Sequence, residues 1–464
     1  MCGAWCRERC VVVAIQDSEV TAEIDFDNDN YQNEYSDIDD HRIITYKSGN
    51  IWRNGWPEPE PANGSITWAN HESRRFENLD IIQRQTPHKM RVSIGDDMLF
   101  SGNVRNLASQ RRGSPEYGVK GELFSDNRRL FGRQVEWANT ENKNVFEAFQ
   151  EIIGLGNLKQ GSLVLGTQNI QTASYTGPMK GLLSEFSRGT GSYVGEDRHA
   201  NIDAMHWGLG KKHIGFTLDM DDIHVDIEKS EGYRRDLKTH GTMGVTYGVT
   251  IPNSTLKTVN ENLDPRETRI VRIVGEGNTL IVANWHDPEP YLGVTSRIIS
   301  KGSKTLVLEL RNVTDSVINY TLPFTGDPVY ARSEDVLTIP GPFFGDIPND
   351  ELRLPKWFAD GELGWGRYTY GYYRDGIPWA KFNLLIDQNS RIPLVIQPGV
   401  VFDTTGGEQL DMPGTIWLCY QAEWKILPKK SGDFNNVTVE CIGLTDDGKS
   451  RWGEAIWNRS SWNG

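Results

Sequence analysis

GPMKGLLSEFSRGTGSYVGEDRHANIDAMHW, residues 177–207, is the stretch from which the fold is best read. Pro178 suits the first turn of a helix, where its missing N–H goes unused. Met179, Leu182, Leu183 and Phe186 follow at i, i+3, i+4 and i+7, the apolar stripe of one helix face. Arg188-Gly189-Thr190-Gly191 ends the helix, because glycine takes the left-handed cap conformation readily. Ser192 to Glu196 then predicts a strand, Asp197 to Asn201 a turn, and Ile202 to Trp207 a return strand. A helix feeding a hairpin is a compact α+β unit.

On its N-terminal side the unit is preceded by a second helix. Asn144, with Glu147 three residues on, has capping-box spacing, with Asn in place of Ser or Thr. Val145, Phe146, Phe149, Ile152 and Ile153 form its apolar face, and Gly154 closes it. Before a composition shift near Asn139 the pattern is β. Met90 to Ile94 alternates, Gly95-Asp96-Asp97 turns, Met98 to Leu107 returns, and Tyr117 to Phe124 adds a third run. Successive hairpins without a helix between them imply an antiparallel sheet or small barrel. Trp52 to Ala62 is a turn leading into a proline-punctuated extended piece.

On the C-terminal side, residues 239 to 324 read as β throughout. Arg269 to Val274, Thr279 to Ala283 and Thr305 to Leu310 are β-rich runs divided by Gly, Asn and Pro. Pro340 to Pro348 reads as a linker and the start of 350–373 as helical. Strands return at Ile392 to Ile396, Val400 to Asp403, Ile416 to Leu427 and Val437 to Leu444, a second antiparallel barrel or sheet. The expected architecture is α+β, mainly β: two tube-type antiparallel β-barrel domains with small α+β and β domains between them. The units are an N-terminal barrel with an acidic loop (1–138), a small α+β domain (139–235), a β-rich domain (236–338), a C-terminal barrel (339–447) and an arm (448–464).

A chain of 464 residues is long enough for several filled cores. Its net charge of −14 argues against a basic groove holding nucleic acid. No run approaches the length of a membrane span, and the apolar run Val11 to Ile15 is too short for a signal-peptide core. The chain is therefore expected to fold in a cytosol, with the sequons at Asn253, Asn312, Asn319 and Asn436 unused. Cys2, Cys6 and Cys10 recur every four residues but lack a fourth ligand and CxxC spacing, and so read as reduced thiols.

Other patterns invite chemistry and fall short of it. Asp25, Asp27 and Asp29 match the start of a calcium loop, but Asn30 stands where its glycine belongs and Ser36 where its glutamate belongs. The loop 25–36 is thus expected to be solvated and acidic. GLGNLKQG (154–161) follows a helix instead of opening one, so no helix N-terminus is aimed at a phosphate. Asp219, Asp221, Asp222, His224 and Asp226 fit the alternation of a half-exposed strand better than a metal site. GxSxG, HExxH, GxxxxGK[ST] and CxxC are all missing. No catalytic, cofactor-binding or metal-binding residue is singled out, and an enzyme is not expected. Trp452, Trp457 and Trp462 stand five apart in a polar tail, a spacing that suits neither helix nor strand. They are candidates for docking into a partner.

Taken in order, these segments resemble the hub proteins at the tip of tailed-phage tails, the baseplate-hub or tail-tip family. Leu182 to Gly191 followed by Ser192 to Asp197 is similar to the family's helix, "tG" stop and strand. Gln397-Pro398-Gly399-Val400-Val401-Phe402-Asp403 resembles its "l.pGd.v" strand, and Ile416 to Leu427 with Val437 to Leu444 its closing hairpin. Leu99-Phe100-Ser101-Gly102-Asn103-Val104 resembles the "lf.G.v" of its first barrel. The resemblance implies a homotrimer with six barrels in a ring, joining a sixfold tail tube to a threefold tip and lining or closing the channel for DNA ejection. It also implies a virion protein assembled in the host cytoplasm. Its partners would be a distal tail protein or tube ring, the tape-measure protein, and a tail fibre or receptor-binding protein. DNA would pass the lumen without specific binding. The block around 240–330 is larger than a minimal hub needs, and no lysozyme or peptidase domain is appended. Two alternatives stay open: a β-rich carbohydrate-binding protein or glycoside hydrolase, given the 15 tryptophans, and a hexameric distal tail ring protein.

Overall fold

The structure is a computed structural model. It describes residues 20–25, 41–53, 56–70, 87–94, 97–111, 117–139, 143–166, 169–170, 173–210, 212–222, 225–235, 240–275, 279–340, 351–354, 377–386, 395–406, 416–426 and 435–444. The first part is all strand: β1 (Val20–Asp25), β2 (His41–Gly49), β3 (Ile51–Arg53), β4 (Trp56–Glu58), β5 (Asn63–Asn70), β6 (His88–Ile94), β7 (Asp97–Arg111) and β8 (Tyr117–Phe124). In β6 the period-two pattern is realised directly, with His88, Met90, Val92 and Ile94 buried and the residues between them more open.

The middle part mixes helices and strands. It contains α1 (Arg128–Phe131), β9 (Gln134–Asn139), β10 (Lys143–Asn144), α2 (Val145–Gly156), β11 (Lys159–Val164) and β12 (Asn169–Ile170). It continues through β13 (Ala173–Pro178), α3 (Met179–Thr190), β14 (Ser192–Glu196), β15 (Asn201–His206) and α4 (Trp207–Gly210). The Asn144 side chain caps α2 by accepting from the Glu147 N–H at 2.9 Å. Phe146, expected on the buried face, is 40% exposed, because one residue past Val145 it lies about 100° round the helix. The helix also runs past Gly154 to Gly156, where Asn157 takes the left-handed cap at φ 54°.

In α3 the predicted stripe is fully buried: Met179, Leu182, Leu183 and Phe186 expose nothing. Each large side chain contributes about 1.5–3 kcal/mol by leaving water. Pro178 is the N-cap residue and the last residue of β13, one position ahead of the first turn. Gly191 ends the helix at φ 57°. The return strand stops at His206, and Trp207 begins α4.

The last part opens with β16 (Ile214–Asp219) and β17 (Val225–Arg235). An outlying module follows: β18 (His240–Thr250), β19 (Ser254–Leu263), β20 (Thr268–Val274), β21 (Thr279–Trp285), β22 (Val294–Lys301), β23 (Thr305–Asn312), β24 (Ile318–Pro340) and β25 (Glu351–Leu354). Residues 351–354, expected as helix, form a strand parallel to β18, in keeping with the alternation of Glu-Leu-Arg-Leu. The chain then returns in β26 (Ile377–Ile386), β27 (Val401–Thr405), β28 (Ile416–Ile426) and β29 (Asn435–Leu444). Val395 and Ile396, expected to end a strand, lie outside any strand, just before the 397–400 turn.

The first and last parts share one sheet. Twelve strands connect in the order β1-β6-β7-β8-β5-β2-β28-β29-β26-β17, with β27 also on β28 and β16 on β27. Two separate barrels were expected; the two sets meet through the antiparallel pairing of β2 with β28, Ile44↔Ile426 to Gly49↔Gln421. Among the described residues no pairing closes either set on itself, and β16 pairs β27 in parallel. The reason lies in β28, which is buried on both faces from Trp417 to Ala422. One of its edges is shared: residues 416–418 there pair β27, and 421–426 pair β2, with a bulge between Cys419 and Gln421. Ile44, Tyr46, Val92 and Phe100 consequently pack in one core with Phe382, Phe402, Trp417 and Trp424.

Candidate functional site

The place where all parts but the outlying module meet is the bulge of β28. Asn50, just past β2, sits against it: its N–H donates to Tyr420 O at 2.7 Å, and its own carbonyl accepts from Gln421 Nε2 at 2.6 Å. The Asn50 side chain then reaches the other way, donating from Nδ2 to Pro57 O at 3.0 Å and Val194 O at 2.9 Å. One fully buried amide therefore ties β2, β4, β14 and β28 together. Two glycines let the backbones close on it. A Cβ at Gly49 (φ +91°) would fall 2.3 Å from Tyr420 O, and one at Gly195 would fall 2.7 Å from Asn50 Oδ1.

The 177–207 unit is wedged against this point. Trp56 stacks on Trp207 with centroids 4.6 Å apart, and its Nε1 donates to Ser187 Oγ at 2.8 Å. Around them pack Tyr193, Trp379, Leu418, Tyr420 and Leu444, a core on the opposite face of β28 from the shared one. Arg188 pairs with Glu58 at 3.0 Å and Lys180 with Glu60, fastening α3 to the proline-rich piece.

At the hairpin tip the wedge grips both ends of the chain. Arg198 donates to Gln397 Oε1 at 2.6 Å and to Met98 O at 3.0 Å, bridging the segments of the second and third resemblances. Glu196, 1% exposed, accepts from the Ala62 N–H at 2.9 Å, from Asn127 Nδ2 at 3.1 Å and from the Ser125 hydroxyl. Burial pushes its carboxyl up to about 7, against the pull of those three donors. Asp203, half-buried and accepting from the Ser162 N–H at 2.6 Å, is raised to about 7 by the same loss of hydration. Burial lowers His206 to about 4, which keeps it neutral.

Glu196 is held by one backbone N–H and two side chains and Asp203 by a backbone N–H, and no nucleophile with an adjacent base emerges from these groups. Asp197 and His199 build the hairpin turn. Asp197 accepts from the His199 and Asn201 N–H groups, both at 2.8 Å, and Glu196 holds the seam. Among the described residues no group of three His, Cys, Asp or Glu side chains could hold a metal ion. Asp219 and Asp221 shape the turn after β16, with the Asp221 N–H donating to Asp219 Oδ1 at 3.1 Å. Asp25 is buried in β1. Residues 26–36, His224, Cys2, Cys6, Cys10, Trp452, Trp457 and Trp462 lie outside the described residues. Among the described residues no helix is long and apolar enough to cross a membrane.

The junction residues Asn50, Glu196, Arg198 and Gln421 escape sequence reasoning. A buried Asn or Glu leaves no periodic trace, and only the two glycines Gly49 and Gly195 hint at a crowded backbone.

No protein-family model matches the sequence, and no curated protein does. Solved structures do resemble the fold. A tail protein from Neisseria meningitidis MC58 is similar over 91% of this chain and 96% of its own, at 8% identity and TM-score 0.49. The 43 kDa tail protein of prophage MuSo2 from Shewanella oneidensis is similar over 91% and 98%, at 9% identity and TM-score 0.48. An E. coli type VI secretion component, described as structurally similar to the T4 tail proteins gp27 and gp5, is similar over 92% and 77%, at 8% identity and TM-score 0.40. The likeness is thus to tail proteins and to a tail-like secretion component, and it is one of structure.

Proposed function

We propose that this chain is a structural, non-enzymatic tail-hub protein of a virion. In this reading three copies join the sixfold tail tube to a threefold tip, and units 1–138 and 339–447 supply the two tube-type repeats of each copy. The observation that carries it is the β2–β28 seam. The two β-rich ends of the chain, each bearing a hub-like motif, are laid into one sheet and clamped by the third motif stretch. A chain folded this way carries two sheet segments joined within one subunit, which is what that subunit needs to occupy two neighbouring positions in a ring. The outlying module within unit 236–338 then offers surface to partners such as fibres or receptor binders, while unit 139–235 braces the junction. The distal tail or tube ring and the tape-measure protein contact the ends of the ring. A net charge of −14 suits a lumen through which DNA passes without sticking, since like charge opposes phosphate binding.

The decisive measurement is copy number, by native mass spectrometry of the purified chain and by quantitative mass analysis of isolated tails. Three copies support the hub. Six copies support a distal ring, and a monomer whose tryptophan fluorescence responds to sugars supports a lectin or glycosidase. In the same reading Trp452, Trp457 and Trp462 dock a partner. Truncation after Ser450 then leaves the fold intact and weakens tail assembly; unaffected assembly removes the arm from the account.

A further inference from the structure

We infer that Cys419 and Cys441 are a site of oxidative cross-linking, a disulfide that staples β28 to β29 when the protein meets a peroxide. The two residues are register partners on neighbouring antiparallel strands. Both are free, and neither exposes any surface. The hydrogen bonds of Cys419 settle which kind of partners they are. Its N–H donates to Val400 O at 3.0 Å and its carbonyl accepts from the Gly399 N–H at 2.8 Å. Both backbone groups therefore turn away from β29, so Cys419 and Cys441 face each other as a non-hydrogen-bonded pair. Such pairs bring Cα atoms to about 4.5 Å, the closest approach an antiparallel sheet offers. A disulfide spans Cα separations of about 4.4–6.8 Å. Both side chains also point into the same core, beside Trp417 and Val439. The bulge beside Cys419 adds local freedom to adjust the dihedral.

The step balances with a peroxide as oxidant. One cysteine sulfur attacks a peroxide oxygen; the O–O bond breaks, and the leaving hydroxide takes the thiol proton as water. The second sulfur attacks the resulting sulfenic sulfur; the S–S bond forms, the S–O bond breaks, and hydroxide leaves with the second proton as water. Two thiols are oxidised and one peroxide is reduced to two waters. Burial raises the Cys441 thiol well above its ordinary range, which keeps the pair inert until the strands breathe. The reaction is accordingly slow in the folded protein, and faster where the seam opens.

The test uses the full chain treated with hydrogen peroxide, followed by alkylation of remaining thiols under denaturing conditions and tryptic mapping. Lys425, Lys429 and Lys430 separate the two cysteines into different peptides. The expected product is a 419–441 linked pair two hydrogens lighter than the reduced peptides, with a melting temperature several degrees higher that returns on reduction. The Cys419→Ala/Cys441→Ala double variant should lose that reversible rise while Cys2, Cys6 and Cys10 still react. Recovery of Cys419 and Cys441 as separately alkylated or over-oxidised peptides overturns the inference. So does linkage of either to Cys2, Cys6 or Cys10. If the double variant does not fold, the wild-type peptide map alone decides.

Discussion

Two regions of this molecule answer differently to the same composition. The clamped body, made of the twelve-stranded sheet and the α+β wedge, joins its apolar cores through polar groups reaching across long sequence separations, such as the buried Asn50 to Val194 and the half-buried Arg198 to Gln397. The outlying module is held by its own apolar core of Leu263, Ile273, Leu306, Leu308, Leu310 and Phe324. β24 runs for 23 residues, pairing β19 with its first half and β18 with its second. A contact back to the body is Thr305 Oγ1 to Glu136 Oε1 at 3.5 Å. Among the described residues the module carries more of the exposed large apolar side chains, with Ile270 at 66%, Leu292 at 95% and Val317 at 58% exposed. A body whose cores are linked by bonds across its parts is expected to open as one cooperative unit, whereas a module with a private core can open alone.

Substitutions test that contrast. Trp207→Ala removes a fully buried ring stacked on Trp56 and should destabilise the body by about 3–5 kcal/mol. Chemical denaturation followed by hydrogen exchange should show protection lost across β14, β15 and β28 together while β20, β22 and β23 keep theirs. Leu308→Ala should act in mirror image. A loss of about 2–5 kcal/mol is confined to the module, seen as an early separate transition with the body unaffected. If both variants lower one common transition, the two regions are a single cooperative unit and the contrast fails.

The third test is pH. Glu196 has a folded value near 7, above its ordinary 4.5, so the native state binds more protons between those values. Stability from this group is present at low pH and is lost as pH rises from about 4.5 to 7, by up to about 3 kcal/mol. Asp203, also near 7, acts in the same direction. His206 acts oppositely: lowered to about 4, it adds stability as pH rises from about 4 to 6.5. Glu196→Gln should flatten its own share of the slope, read as the wild-type-minus-variant difference in urea midpoints from pH 4 to 8. An unchanged slope would mean that Glu196 does not titrate in the seam.

The smallest effect belongs to the module surface. Arg269 bridges Glu261 and Glu267 at 2.9 and 2.7 Å, but in water such pairs contribute little. Arg269→Ala should leave both transitions where they are, and a clear loss would show that the module depends on its ion pairs.

Much of the body was legible in residue order because periodicity reports local structure. The α3 stripe, the Gly191 stop, the β6–β7–β8 meander and the β28–β29 hairpin all follow from spacings of two or three to four residues. Phe146 and the 351–354 strand depart from expectation at element boundaries, where one residue changes the face or the period. The junction was not legible. Asn50, Glu196 and Arg198 look like ordinary surface residues in sequence, because their partners lie far along the chain.

What the sequence determined by itself is therefore part of the inventory: several of the strands, the approximate extent of the two longer helices of the wedge, and the apolar stripe of α3. These depend on contacts within a few residues. The tertiary structure alone decided that the two β-rich ends share one sheet, with Asn50 as the pin and Glu196 as the seam. That choice rests on a bulge in β28 which hands one strand edge from β27 to β2, and on buried hydrogen bonds whose partners no local pattern can name.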